Sequence, residues 1–127
     1  MPASEVTYSE QLDNVDEFFF MWRLPNEELH RADGPAAIVR FDGAYSENYL
    51  QDGLEHRIDG PAVFEFYPNL ERLKLRWYRY GESHRLDGPA VIEYDFNGTA
   101  TFLEWWVDGR LIKRVERPSD TAPSDAV

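Results

Sequence analysis

This sequence predicts an all-β chain of tandem β-hairpins joined into one elongated antiparallel sheet. Three observations carry that expectation. One seven-residue stretch recurs as His30-Arg31-Ala32-Asp33-Gly34-Pro35-Ala36, His56-Arg57-Ile58-Asp59-Gly60-Pro61-Ala62 and His84-Arg85-Leu86-Asp87-Gly88-Pro89-Ala90. The copies begin 26 and 28 residues apart, the size of one stacked supersecondary unit. Between them, short apolar segments are punctuated by Asp-Gly and Asn-Gly pairs, which are strong hairpin signals.

Met1 to Asp16 carries acids and no Lys or Arg, so it is not expected to be a signal or transit peptide. Ser9-Glu10-Gln11-Leu12 reads as the start of a short helix. Glu17 to Leu24 is rich in strand-favouring aromatics, and Pro25-Asn26 breaks it. The repeat register follows. After each Gly-Pro-Ala comes a first strand (Ala37 to Phe41, Val63 to Tyr67, Val91 to Asp95), then a turn at Asp42-Gly43, Pro68-Asn69 or Asn97-Gly98. A second strand runs to Asp52-Gly53, Tyr80-Gly81 or Asp108-Gly109, and the heptapeptide then carries the chain to the next hairpin. Lys113 to Pro118 reads as a worn fourth copy, with Arg117 in the glycine place, as befits a capping terminal repeat. This gives an acidic N-terminal segment at 1–16, a repeat domain at 17–118 and a disordered tail at 119–127.

Alternate residues of a strand share a face, so the aligned strands predict two surfaces. One collects Tyr49, Trp77 and Trp105 with Trp22, Phe20, Leu75, Leu103, Ile38, Phe64, Ile92, Phe66 and Tyr94, and is the expected core. Arg40 and Glu47 interrupt it and are expected to pair with each other. The other carries Leu50, Tyr78 and Trp106, flanked by Glu65, Glu93, Glu104, Asn48 and Arg76. A charged face crossed by an aromatic ladder is a partner surface or a second, smaller core.

The heptapeptide reads as a structural joint. Gly34, Gly60 and Gly88 supply either positive φ or close backbone approach. The prolines fix an extended exit. Asp33, Asp59 and Asp87 accept turn N–H groups or pair with Arg31, Arg57 and Arg85. His30, His56 and His84 hydrogen-bond the backbone and pack on aromatic rings. A shared metal is disfavoured, because equivalent residues two strands apart lie about 9–10 Å from each other, whereas each zinc ligand sits about 2 Å from its ion. Three near-identical copies also differ from the single asymmetric constellation that catalysis requires. No nucleophilic triad, phosphate loop or zinc spacing is present in the sequence. No cofactor is expected.

The chain is one domain long, has no cysteine and carries a formal charge of −11. A reducing, cytoplasmic setting fits. Direct contact with nucleic-acid phosphates or anionic lipid is disfavoured, and a protein partner with a basic surface is favoured. Solubility alone is the competing reading of the charge. Of the thirteen basic residues only Lys74 and Lys113 are lysines, and arginine suits forked pairing with carboxylates.

Trp77 to Gly81 to His84, spaced Trp-x-x-x-Gly-x-x-His, resembles the core of MORN-type repeats, which are hairpins joined into a single sheet. The longer His-Arg-x-Asp-Gly-Pro-Ala pattern with its Trp-rich strand resembles a MORN-variant repeat of bacteriophage, prophage and giant-virus proteins. Related variants resemble a family of antitoxins. The resemblance spans roughly Trp22 to Arg117, with Arg-x-Asp-Gly-Pro standing where ordinary MORN repeats carry a second His-Gly-x-Gly. It implies a non-enzymatic interaction protein of phage or mobile-element type, working in the host cytoplasm by occupying a basic, nucleic-acid-gripping surface of a host defence protein. An antitoxin neutralising a cognate partner is the alternative, and a small enzyme or metal protein using repeat His and Asp is the third. Expected partner contacts are Leu50, Tyr78, Trp106, Glu65, Glu93 and Glu104. A single-layer sheet of this size also leaves an apolar face needing cover, from the N-terminal segment or from a second copy in a face-to-face dimer.

Overall fold

The computed structural model describes residues 6–14 and 16–117. Nine strands form one open antiparallel sheet whose spatial order follows the chain: β1 (Thr7–Asn14), β2 (Glu17–Arg23), β3 (Ala37–Phe41), β4 (Ala44–Asn48), β7 (Val63–Tyr67), β8 (Arg72–Arg76), β11 (Val91–Tyr94), β12 (Ala100–Val107) and β13 (Arg110–Glu116). Two short hairpins stand apart from it, β5 (Leu50–Gln51) with β6 (Leu54–Glu55) and β9 (Tyr78–Arg79) with β10 (Glu82–Ser83). Tandem hairpins in one antiparallel sheet are therefore the architecture.

The unit differs in one respect from the expected single hairpin. The second strand breaks at the aromatic residue before its end. Tyr49 donates its N–H to Ala62 O (2.7 Å) in the next unit, while its own carbonyl accepts from His56 N (3.0 Å). Trp77 repeats this with Ala90 O (2.7 Å) and His84 N (3.1 Å). The chain thus changes partners at that residue, leaves the long sheet and makes a two-residue hairpin. Its turn has successive positive φ values, Asp52 51° with Gly53 78° and Tyr80 47° with Gly81 83°, the mirror-image geometry that tight hairpins use.

Three further expectations are corrected. Ser9 to Leu12 lies in β1, not in a helix, and pairs with β2 in the register Tyr8↔Trp22, Glu10↔Phe20 and Leu12↔Phe18. Tyr8 lies tilted against Trp22 at 4.8 Å and stacked on Phe20 at 6.3 Å between ring centroids, so the aromatic strand recruits this polar stretch as a neighbour. The repeat sheet therefore starts before residue 17. The worn fourth heptapeptide is not a joint: Lys113 to Glu116 continues β13 along β12. Arg40 does not pair with Glu47 but lies opposite Tyr45, whose hydroxyl donates to Glu47. The tail at 119–127 lies outside the described residues.

The buried residues are small and cluster at one end of the sheet. Ala36, Ala62 and Ala90 are fully buried, followed in the chain by buried Ala37, Val63 and Val91, with Leu24, Leu50 and Ile92 completing the set. The Ala36, Ala62 and Ala90 N–H groups reach Asn48, Arg76 and Glu104 carbonyls at 2.8, 2.8 and 2.7 Å, and their own carbonyls accept from Trp22, Tyr49 and Trp77. Each alanine bridges two strands through its backbone and buries its methyl completely. Of the core expected with Tyr49, Trp77 and Trp105 only Ile92 is buried: the three rings are half-buried, and Leu50 of the opposite column is interior.

Candidate interaction surfaces

The heptapeptides line one rim, and each folds around its own arginine. Arg31, Arg57 and Arg85 place their guanidinium carbons 3.9, 3.9 and 4.0 Å from the centroids of Trp22, Tyr49 and Trp77. Nη1 donates to the carbonyls of Pro35, Pro61 and Pro89, and Nε faces Asp33, Asp59 and Asp87 at 3.6, 3.6 and 3.1 Å. The glycines serve close approach and not positive φ. A Cβ built on Gly34, Gly60 or Gly88 would stand 2.9, 3.0 or 2.8 Å from the guanidinium carbon.

The histidines tie each unit to the next. Nδ1 of His30, His56 and His84 accepts the N–H of Asp52, Tyr80 and Asp108 at 2.9, 3.0 and 2.9 Å. The residue before each histidine (Leu29, Glu55, Ser83) accepts the N–H of the following turn glycine at 2.8–2.9 Å. An imidazole that accepts at Nδ1 carries its proton on Nε2 when neutral. His56 also stacks on Tyr80, 4.1 Å between centroids. Burial, and then Arg79, lower its pKa from the ordinary value. Among the described residues no group of three His, Asp or Glu side chains is placed to hold a metal ion.

The two sheet faces differ in kind. One carries Phe18, Phe20, Tyr45, Phe64, Phe66, Leu73, Leu75, Tyr94 and Leu103, and β1 adds Tyr8 and Leu12. Strand packing in this molecule is between sheet neighbours, and no second layer of described residues lies over this face. Its charged residues include Glu10, Arg40, Glu47 and Lys113. Glu10 accepts from the Tyr8 hydroxyl, Glu47 from Tyr45, and Lys113 sits over Trp105. Burial, reinforced by Glu47, pushes the Tyr45 pKa up to about 12, so the phenol stays a donor.

The opposite face is a cross-strand ion ladder. Arg76 meets Glu65 (3.5 Å), Lys74 and Arg72 meet Glu93 (3.2 and 3.9 Å), and Arg114 meets Glu104. Glu65 also raises the Tyr67 pKa, after burial. Of the six expected partner contacts, Leu50 and Glu104 are interior, at 9 % and 7 % exposure. Glu104 is consumed by Arg114 and by Trp106 Nε1, which donates at 2.9 Å. Both are corrected to structural residues. Tyr78 and Trp106 are half-buried, and Glu65 and Glu93 are neutralised by their neighbours. Tyr8 and Leu12 are the surface residues that the sequence reading passed over. Their alternation with Glu10 was the available signal.

The fold and rim define a single-layer β-hairpin repeat protein. Comparison of the chain with protein families, with curated proteins and with solved structures finds no match.

Proposed function

We propose that the chain is a non-enzymatic protein-interaction module that docks through its uncovered apolar face. The observation that carries this is a nine-stranded layer with aromatic and aliphatic side chains on one side and no second layer of described residues over them. Nine strands at about 4.8 Å, each about five residues tall, give this face an outline on the order of 700 Å², and Tyr8, Leu12 and Phe66 on it are 47, 59 and 43 % exposed. Exposed apolar side chains gathered on one face mark an interaction site.

Exposed acids of this −11 chain lie at loops, Asp42 and Glu71 in turns and Asp52, Asp59 and Asp108 beside His30, Arg57 and His84. An apolar strip bordered by acidic rims fits a partner whose own contact patch is apolar and ringed by Lys and Arg. The finer reading, supported by that charge pattern and by the MORN-variant resemblance, is a phage or mobile-element inhibitor seated on a basic, nucleic-acid-gripping surface. An antitoxin would make the same contact with a cognate toxin.

The test is capture from the native host, with the bound protein identified and titrated back. The reading expects a stoichiometric complex that salt weakens, that Phe66→Glu abolishes, and that leaves the free variant's melting temperature unchanged. A complex indifferent to Phe66→Glu and Leu73→Glu would overturn it. Self-association abolished by the same variants would assign the face to a second copy.

A further inference from the structure

The middle unit breaks the repeat at two adjacent positions. Where the first and third units place Gln51-Asp52 and Val107-Asp108, the second places Arg79-Tyr80. One acid is lost and one cation gained at the same spot. Tyr80 is also held at φ 47°, a left-handed conformation that aspartate tolerates and a bulky aromatic does not favour. Strain kept at one copy of a repeat asks for a reason beyond the joint itself.

Both residues line a groove of about 790 Å³ between the second and third heptapeptide loops, with Trp77 on its floor and Ile58 and Leu86 at its lips. Ile58 and Leu86 are 90 % and 77 % exposed. Arg57 and Arg85 are committed to the ring stacks and proline carbonyls described above. Arg79 is exposed, and among the described residues no carboxylate lies within ion-pairing distance of it. Gln51, its counterpart, is spent on the Arg31 carbonyl at 2.8 Å.

The contact that Arg79 does make is informative. Its Nη1 lies 3.4 Å from His84 Nε2. Because His84 Nδ1 accepts the Asp108 N–H, Nε2 carries a proton, and a guanidinium has donors only. Two donors that face each other cannot satisfy one another. Both can be satisfied by an oxyanion placed between them, in a charge-assisted geometry. The acids that line this groove, Asp59 and Asp87, face their own arginines at 3.6 and 3.1 Å.

We propose that this groove is a binding site for an oxyanion, carboxylate or phosphate, carried on an apolar or aromatic body. Arg79 and His84 Nε2–H hold the anion, and Tyr80 and Leu86 pack the body. The site stands apart from the apolar sheet face and is independent of what docks there.

The experiment titrates the isotopically labelled full chain with benzoate, phenyl phosphate and benzyl alcohol, and follows the Arg79 Nε–H, His84 ring and Tyr80 resonances. The proposal expects saturable shifts at these groups with at least one anion and none with the alcohol. Response to one anion alone identifies the headgroup; response to both identifies a general oxyanion site. Arg79→Gln installs the first unit's residue and Tyr80→Asp the residue of both other units, so the fold is expected to tolerate each. Arg79→Gln lowers anion affinity about tenfold or more, the loss of one charge-assisted contact, and Tyr80→Asp lowers it by removing the ring that packs the body and placing a carboxylate beside the anion. Absence of saturable shifts with both anions, equal binding of the alcohol, or unchanged affinity in both variants would refute it.

Discussion

Arg57 shows how much of the joint rests on one side chain. Its guanidinium lies between the Tyr49 ring and the bare Cα of Gly60, and Nη1 donates to Pro61 O at 3.1 Å. Gly60→Ala puts a methyl 3.0 Å from the guanidinium carbon and levers it off the ring. Gly60 has no positive φ, so the cost is that of the stack alone, about 1 kcal/mol. Urea unfolding is expected to show that loss. Gly60→Ala made on an Arg57→Ala background should then cost little more than Arg57→Ala alone, because the two changes remove one interaction. His56 supplies the second prediction at this scale. Its native pKa lies below the ordinary value of 6.5, through burial and then Arg79. Between the lowered native value and 6.5 the unfolded chain binds the proton and the folded chain does not. Stability from this group is thus full above about pH 6.5 and falls as acid enters that window. Protonation also removes the acceptor that holds Tyr80 N–H. Melting temperatures of the wild type and His56→Gln, compared from neutral pH down through this window, should converge as pH falls.

The long hairpins were legible because their alternation and Asp-Gly or Asn-Gly turns are local signals, and local geometry decides them. Gly43 and Gly98 have φ values of 83° and 82° at those turns. What escaped is decided by neighbours. β1 is a polar stretch that becomes a strand because Phe18, Phe20 and Trp22 offer it a surface. The second strands break at Tyr49 and Trp77 because the buried alanine of the next unit takes the N–H. In the last unit no further Gly-Pro-Ala joint follows, so β12 runs on through Trp105 and Trp106 with only a bulge, and β13 pairs along it where a fourth joint was expected. The candidate site was read half correctly for the same reason. Alternation placed Glu104 on the right face, but strand order alone does not say that Arg114 would occupy it or that Leu50 would leave the long sheet in a short hairpin. Glu104→Ala is expected to cost about 2–3 kcal/mol, since it strips a buried acceptor from Arg114 and Trp106. A cycle with Arg114→Ala should show strong coupling. Limited proteolysis should find β13 released first in Glu104→Ala.

At the scale of the whole molecule, the absence of a second layer among the described residues has a thermodynamic consequence. Each strand packs on the strands beside it, and each joint ties its unit to the next through a histidine Nδ1 and a carbonyl. Stability is then a sum of unit energies and nearest-neighbour couplings, as in other linear arrays. A globular two-layer domain opens as one body; a ribbon opens from its ends. The buried residues support the same gradient, because Val63, Val91 and Ile92 lie in β7 and β11 near the middle, whereas β1 and β13 are open edges. Native-state hydrogen exchange should therefore rank protection in the order β7, β8 and β11 above β3, β4 and β12, with β1 and β13 lowest. His56→Gln, which cuts the coupling between the second and third units, should lower protection in β9 and β10 more than in β2 and β3. Uniform exchange at one global free energy across all nine strands would mean that the apolar face is already covered in solution. Dilution would then separate the two ways of covering it: protection that falls with concentration belongs to a second copy, and protection that does not belongs to the chain's own termini.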